Sequence, residues 1–275
     1  MGMTGFCRTA LTVLLLALSA AWPSPARAHY IDMRKVVIEP GVLTVGIALS
    51  GRPFAYREDG ILKGFEVDLA GEIAQSRGLA LKAVQLPRKG LIAALKAGQV
   101  DAVNSMPLDG KPPAGVAVIP YLVVGDHMMI LKKNPFHIKS VEDLAGETVS
   151  TPAGTSAEAF AREIDRHLVA EGRPAMQIHS FPNEREVHFP VSMGHAAAYF
   201  IDTSGALVPT LDPESRVGIF PGVFKPRRAV GLAVLADKAD LKDALEHAIA
   251  AKVANGTYDR LREEYGVPDE LSDFR

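Results

Sequence analysis

Apolar residues recur along this chain in two alternating periods. LTVGIAL (43–49) is a continuous apolar run of strand length. Beyond it, Phe65, Leu69 and Ile73 stand four residues apart and Gly78 closes the run, which predicts a helix over 65–77. Asp59-Gly60, between the two, marks a tight turn. LKAVQL (81–86) predicts a second strand, LIAALKAG (91–98) a helix ended by Gly98, and VDAVNSM (100–106) a third strand. A strand–helix–strand–helix–strand order predicts a mostly parallel sheet flanked by helices.

KPPAGVAVIP (111–120), with three prolines, reads as a loop, and LVVGDHMMILKK (122–133) as a long extended run leaving the first unit. The pattern then restarts. Ser140 and Asp143 cap a short helix in SVEDLAG, ETVST (147–151) is a strand, and Gly154-Thr155-Ser156 opens the helix AEAFAREIDRHL. AMQIHSF (175–181) and HAAAYFID (195–202) read as strands, with a helix between them in NEREVHFPVSMG that Pro190 disturbs. This second unit spans roughly 126–220. VFKPRRAVGLAVLAD (223–237) is another long extended segment, followed by helices at 239–256 and 257–266. Two α/β units with two long connections predict two lobes joined by two strands, with a cleft between them. Ligands of such sheets bind beyond the carboxyl ends of the strands. That puts loop 50–56 at the cleft mouth, where Phe54 and Tyr56 can face a ligand.

The N-terminus changes the compartment. Arg8 precedes the apolar run ALTVLLLALSAAW (10–22), which is short for a membrane span; Pro23 and Pro25 break it, and Ala26-Arg27-Ala28 offers a small-x-small cleavage site. Residues 1–28 read as a secretory signal peptide cut after Ala28, so the mature protein is expected in the periplasm. The only cysteine, Cys7, lies ahead of the apolar run. The mature chain then has no disulfide, thiolate metal site or cysteine nucleophile. Hydrophobic residues make up 48% of the chain, enough for a real core. Residues 1–28 hold Arg8, Arg27 and no acid, which leaves 28 basic against 32 acidic side chains, a formal charge of −4. That balance argues against a nucleic-acid partner.

LTVGIALSGRPFAYREDGILKGFEVDLAGEIA, GLIAALKAGQVDAV, IKSVEDLAGETVSTPAGTSAE and ANGTYDRLREEYG together resemble the extracytoplasmic solute-binding proteins of ABC importers, in the polar amino-acid-binding group (family 3). The resemblance runs from about 43 to 266. It implies a two-lobed α/β clamshell with lobe 1 at 43–122 and 226–275 and lobe 2 at 126–222. It also implies closure around a small polar solute and docking of the closed form on an ABC permease in the inner membrane. A monomer without a cofactor is expected.

The resemblance also nominates residues. Phe54 resembles an aromatic stacked over the ligand, with Tyr56 near it. Gly154, Thr155 and Ser156 lie at a helix N-terminus that favours an anionic or carbonyl group. Asp202 resembles the carboxylate that pairs with a ligand α-amino group. The departure is NSMPLDGKPP (104–113): where relatives carry Thr-x-Thr and then an arginine for the α-carboxylate, this chain has Pro107, Asp109 and Pro112. Proline cannot replace a guanidinium fork. Lys111, Arg88 and Lys89 stand as substitutes, and Asp109 adds a negative charge. Two ligand classes follow: an amine or other small polar cation, or an amino or organic acid with a relocated basic partner. The KPRR run reads as surface or hinge. His29 would be the first mature residue, and the remaining histidines show no metal-ligand spacing. The fold also accommodates an accessory protein of a periplasmic quinoprotein dehydrogenase, or an exported enzyme such as a cyclohexadienyl dehydratase. The residues present no Ser-His-Asp or phosphate-loop motif, and the expectation is a binder.

Overall fold

The computed structural model describes residues 32–108 and 112–274. Residues 1–28, read from the sequence as a signal peptide, and His29, Asp109 and Lys111 lie outside those residues. The first unit runs β1 (Val42–Ile47), the hairpin β2 (Tyr56–Glu58) and β3 (Ile61–Lys63), α1 (Phe65–Ser76), β4 (Ala80–Gln85), α2 (Leu91–Lys96) and β5 (Ala102–Pro107). A 16-residue strand, β6 (Val116–Leu131), leads into β7 (Thr148–Pro152), α3 (Ser156–Ala170), β8 (Gln177–Phe181), α4 (Phe189–Ser192), β9 (Ala198–Asp202) and α5 (Thr203–Thr210). A 19-residue strand, β10 (Val217–Leu235), returns the chain to α6 (Ala239–Ala254) and α7 (Thr257–Glu264).

Eight strands form one sheet in the order β4-β1-β5-β10-β6-β9-β7-β8. Within each lobe the strands pair in parallel: β1 with β4 and β5, β7 with β8 and β9. Between the lobes, β6 and β10 pair antiparallel along nearly their whole length, and these are the hinge strands. Apolar side chains fill both faces of both halves. In the first lobe Phe65, Leu69 and Ile73 of α1 pack with Leu241, Leu245 and Tyr258, while Leu91 and Leu95 of α2 cover the opposite face. In the second, Ala161 and Leu168 of α3 cover one face, and Val191 and Ala206 the other. Each large apolar side chain buried in this way contributes roughly 2 kcal/mol.

Three segments differ from the reading of the sequence. The proline-rich stretch at 111–120 is not all loop: β6 begins at Val116, because it pairs antiparallel with β10, from Leu235 opposite Val116 to Gly231 opposite Pro120. NEREVHFPVSMG is not one helix but a 3-10 turn at Glu184–Glu186 followed by the four-residue α4. Pro190 sits in the first turn of α4, where its missing N–H costs nothing, and a longer helix would set its ring against the carbonyl four residues back. SVEDLAG forms a 3-10 turn (Val141–Leu144) with the expected Ser140–Asp143 capping box.

The hinge is irregular where it crosses between lobes. Lys225 pairs with Asp126 and Arg228 with Val124, so two residues of β10 oppose Gly125 alone. The backbone of Gly125 finds its partner in a side chain: its N–H donates to Thr203 Oγ1 at 2.9 Å, and Thr203 Oγ1 donates back to its carbonyl at 2.9 Å. Thr203 has one hydroxyl proton, so the buried His127 Nε2, 3.1 Å away, donates to it. Nearby, Gly231 lies so close to β6 that a Cβ there would stand 2.0 Å from the Ile119 carbonyl oxygen.

Candidate functional site

Loop 50–56 is fastened to the start of α1. Phe65 N–H donates to the Pro53 carbonyl and Glu66 N–H to the Phe54 carbonyl, each at 3.0 Å, which uses two of the amides a helix N-terminus leaves open. Gly64 makes this possible: it has φ +120°, and a Cβ there would lie 2.3 Å from the Phe54 oxygen. Phe54 is therefore only 4% exposed and belongs to the first lobe's core, while its edge lines a cavity.

That cavity, about 130 Å³, lies between the lobes. Its floor is the cleft face of the hinge strands, Leu122 and Val124 of β6 with Arg228 and Val230 of β10. Ser50, Glu66, Arg88 and Ser105 line it from the first lobe, Asp202 and Thr203 from the second. A hollow of about 1150 Å³ lies against α4 and α5, with Phe189 and Val208 in its wall, but one lobe alone supplies it.

Glu66 carries the polar network of the first wall. Its carboxylate is buried and accepts from Asn104 Nδ2 (2.8 Å), Ser50 Oγ (3.3 Å), Ser105 Oγ (2.5 Å) and the Tyr121 hydroxyl. Four donors satisfy this charge without a ligand and fix both serines at the cavity edge. Burial, together with the neighbouring Glu66 charge, holds the Tyr121 phenol well above its usual range. On the opposite wall Asp202 ends β9 and caps α5, its Oδ1 accepting from Gly205 N–H at 2.8 Å. Beside it Asp126, fully buried on β6, accepts from Ser156 Oγ at 3.0 Å, while its Oδ2 has no hydrogen-bond partner among the described residues. Burial pushes the Asp126 carboxyl up; Ser156 and the Arg228 charge oppose that, and Asp202 adds to it. Burial pushes the His127 imidazole down to about 4.

Of the residues nominated from sequence, the cavity brings together Phe54, Arg88 and Asp202. Tyr56 stands outside its lining, under the Arg52 guanidinium at 4.1 Å. Lys89 is exposed and also outside the lining. Gly154, Thr155 and Ser156 do form a helix N-terminus, but their groups are engaged within the protein: Thr155 caps Glu158 N–H, Gly154 N–H meets Glu158 Oε2, and Ser156 meets Asp126. Hydrogen bonds from Ser180, the Gly154 amide and Arg162 hold Glu158 down at about 2. Arg228, Glu66, Ser50 and Ser105 were not singled out from sequence. Arg228 sits in KPRR, a run that does belong to the hinge, and strand alternation turns Arg227 outward to the Glu270 carbonyl at 3.1 Å.

The model of the bacterial extracellular solute-binding proteins, family 3, matches residues 43–268. The chain belongs to that family. Membership implies an extracytoplasmic location. Among family relatives, the histidine-binding periplasmic protein of Escherichia coli K12 is 27% identical over 235 residues, which cover 82% of this chain and 88% of that one. A solved ancestral amino-acid-binding protein, described as a precursor of cyclohexadienyl dehydratase, is 26% identical with a TM-score of 0.59, covering 85% of this chain and 99% of its own. The L-cystine solute receptor of Neisseria gonorrhoeae, solved unliganded and open, shares the fold at a TM-score of 0.70 and 22% identity, over 86% of this chain and 98% of the receptor. Family 3 proteins of this kind are two-lobed, as the sheet order and hinge strands of this chain are.

Proposed function

We propose that this chain is the exported binding component of an ABC importer, holding a small zwitterion between its lobes and delivering it to an inner-membrane permease. The zwitterion is an amino acid or a close relative of one. The lobes are 43–122 with 226–275, and 126–222; residues 1–28 are removed on export. The observation that carries this reading is the charge balance of the inter-lobe cavity: two guanidinium groups, Arg88 and Arg228, and two carboxylates, Glu66 and Asp202, around about 130 Å³. Internal donors already satisfy Glu66, so a lone amine would meet two cations there and a lone carboxylate would meet Asp202. A zwitterion satisfies both ends, with its amine against Asp202. Relatives named for histidine and cystine binding support the same class.

A binding role rather than a catalytic one fits the same residues. General acid–base chemistry needs a carboxyl facing the substrate. Both Glu66 oxygens are taken by internal donors, and Asp202 caps a helix. The test is a thermal-shift panel of residues 29–275, unfolded and refolded to strip carried-over solute, against amino acids, amines, amides and dicarboxylates. Binding to the native state raises the melting temperature, and the expected hit is an amino acid. An unchanged melting temperature across the panel, or turnover of a cyclohexadienyl acid, overturns the proposal.

A further inference from the structure

We propose that Arg228, on the second hinge strand, is the anion anchor of the cleft and selects solutes that carry a carboxylate. This deepens the receptor reading above and rests on it. The cavity offers two guanidinium groups, and they differ. Arg88 is exposed in a 3-10 turn, and its Nη1 leans on the Ser105 carbonyl at 3.4 Å. Arg228 is half-buried on the cavity floor, and among the described residues its guanidinium takes part in no hydrogen bond and no ion pair within 4.0 Å. A half-buried arginine that lines a cavity without a protein partner has its fork available for a carboxylate, which it can hold through two parallel N–H···O bonds.

The register explains why this residue and not its neighbour does so. Leu122 and Val124 of β6 face the cavity, and Arg228 pairs with Val124. The bulge opposite Gly125 shifts β10, so that Arg228 and Val230 face inward and Arg227 points to Glu270. Asp202, across the same small cavity, takes the positive end of the solute. Arg228 then acts twice: it binds the carboxylate, and it repels the corresponding amine that lacks one. Glu66 and Asp202 line the same cavity as this arginine, and the buried Asp126 beside Asp202 feels its charge.

The experiment is calorimetric titration of refolded residues 29–275 as wild type, Arg228→Ala, Arg228→Lys and Arg227→Ala. The probes are the twenty standard L-amino acids, L-cystine, and the decarboxylated amine or carboxamide of each acid. We expect the wild type to bind at least one acid and its amine about 100-fold more weakly. Arg228→Ala should bind the acid about 100-fold more weakly, close to the amine. Arg228→Lys should recover part of the loss, and Arg227→Ala should match wild type. Melting temperatures check that each variant is folded, and the lysine variant keeps the assignment testable if the alanine variant is not. Acid affinity unchanged in Arg228→Ala, or equal wild-type affinity for acid and amine, overturns the assignment alone. Silence of the wild type towards every probe overturns the receptor reading together with it.

Discussion

At the scale of single residues, Thr203 ties the cleft to the hinge. One hydroxyl satisfies the amide and carbonyl of Gly125 and receives His127 Nε2, and the next residue back is Asp202. Replacing it by the near-isosteric valine leaves two buried backbone groups without partners. Thr203→Val should cost about 2 kcal/mol or more in a urea denaturation measurement. A loss below about 0.5 kcal/mol would mean that water replaces the hydroxyl. Phe54 is a core residue first: Phe54→Ala should lower the stability of the solute-free protein by about 3 kcal/mol, read from the same denaturation midpoint. Arg228 was hidden in the sequence for a physical reason. Strand alternation assigns a face only while the register holds, and one bulged residue exchanges inward and outward positions from there on. Glu66 was hidden differently, because a carboxylate in the first turn of an amphipathic helix reads as a favourable dipole contact, not as the hub of a buried network.

At the scale of elements, most of the pattern was readable. The four-residue spacing of Phe65, Leu69 and Ile73 located α1, whose three side chains are fully buried, and Asp59-Gly60 located the β2–β3 turn. The start of β6 was not readable, since prolines at 112, 113 and 120 argue against a strand until an antiparallel partner is known. The hinge strands leave no room for a side chain at Gly231. Any side chain there collides with the Ile119 backbone, which cannot swing aside as a flexible side chain would. Gly231→Ala should therefore spread β6 from β10, lowering the melting temperature by several degrees and altering the solution scattering profile of the solute-free chain. Retention of both would mean the strands have slack at this point.

For the whole molecule, two lobes around a small, charge-balanced cavity imply dependence on pH. The folded chain holds His127 neutral down to about 4, whereas the unfolded chain takes up that proton near 6.5. Between those values the unfolded state binds more protons, so stability falls as pH is lowered through the window. Asp126 acts in the opposite sense, because burial makes its protonated form the easier one to fold. Urea midpoints at pH 7 and 4.5 should drop less for His127→Gln than for wild type; an equal drop would exclude His127 as a source of the acid sensitivity. The central claim, a receptor that seats the amine end of a zwitterion on Asp202, is tested most directly by one titration. Asp202→Asn keeps the Oδ1 that caps α5 and removes only the charge. Calorimetry of L-histidine, L-arginine and L-cystine into refolded wild type and this variant should give one-to-one binding of at least one of them to wild type, about micromolar, or −8 kcal/mol. The variant should lose that binding at an unchanged melting temperature. Equal affinity in the two proteins, or no binding to wild type, would contradict the claim.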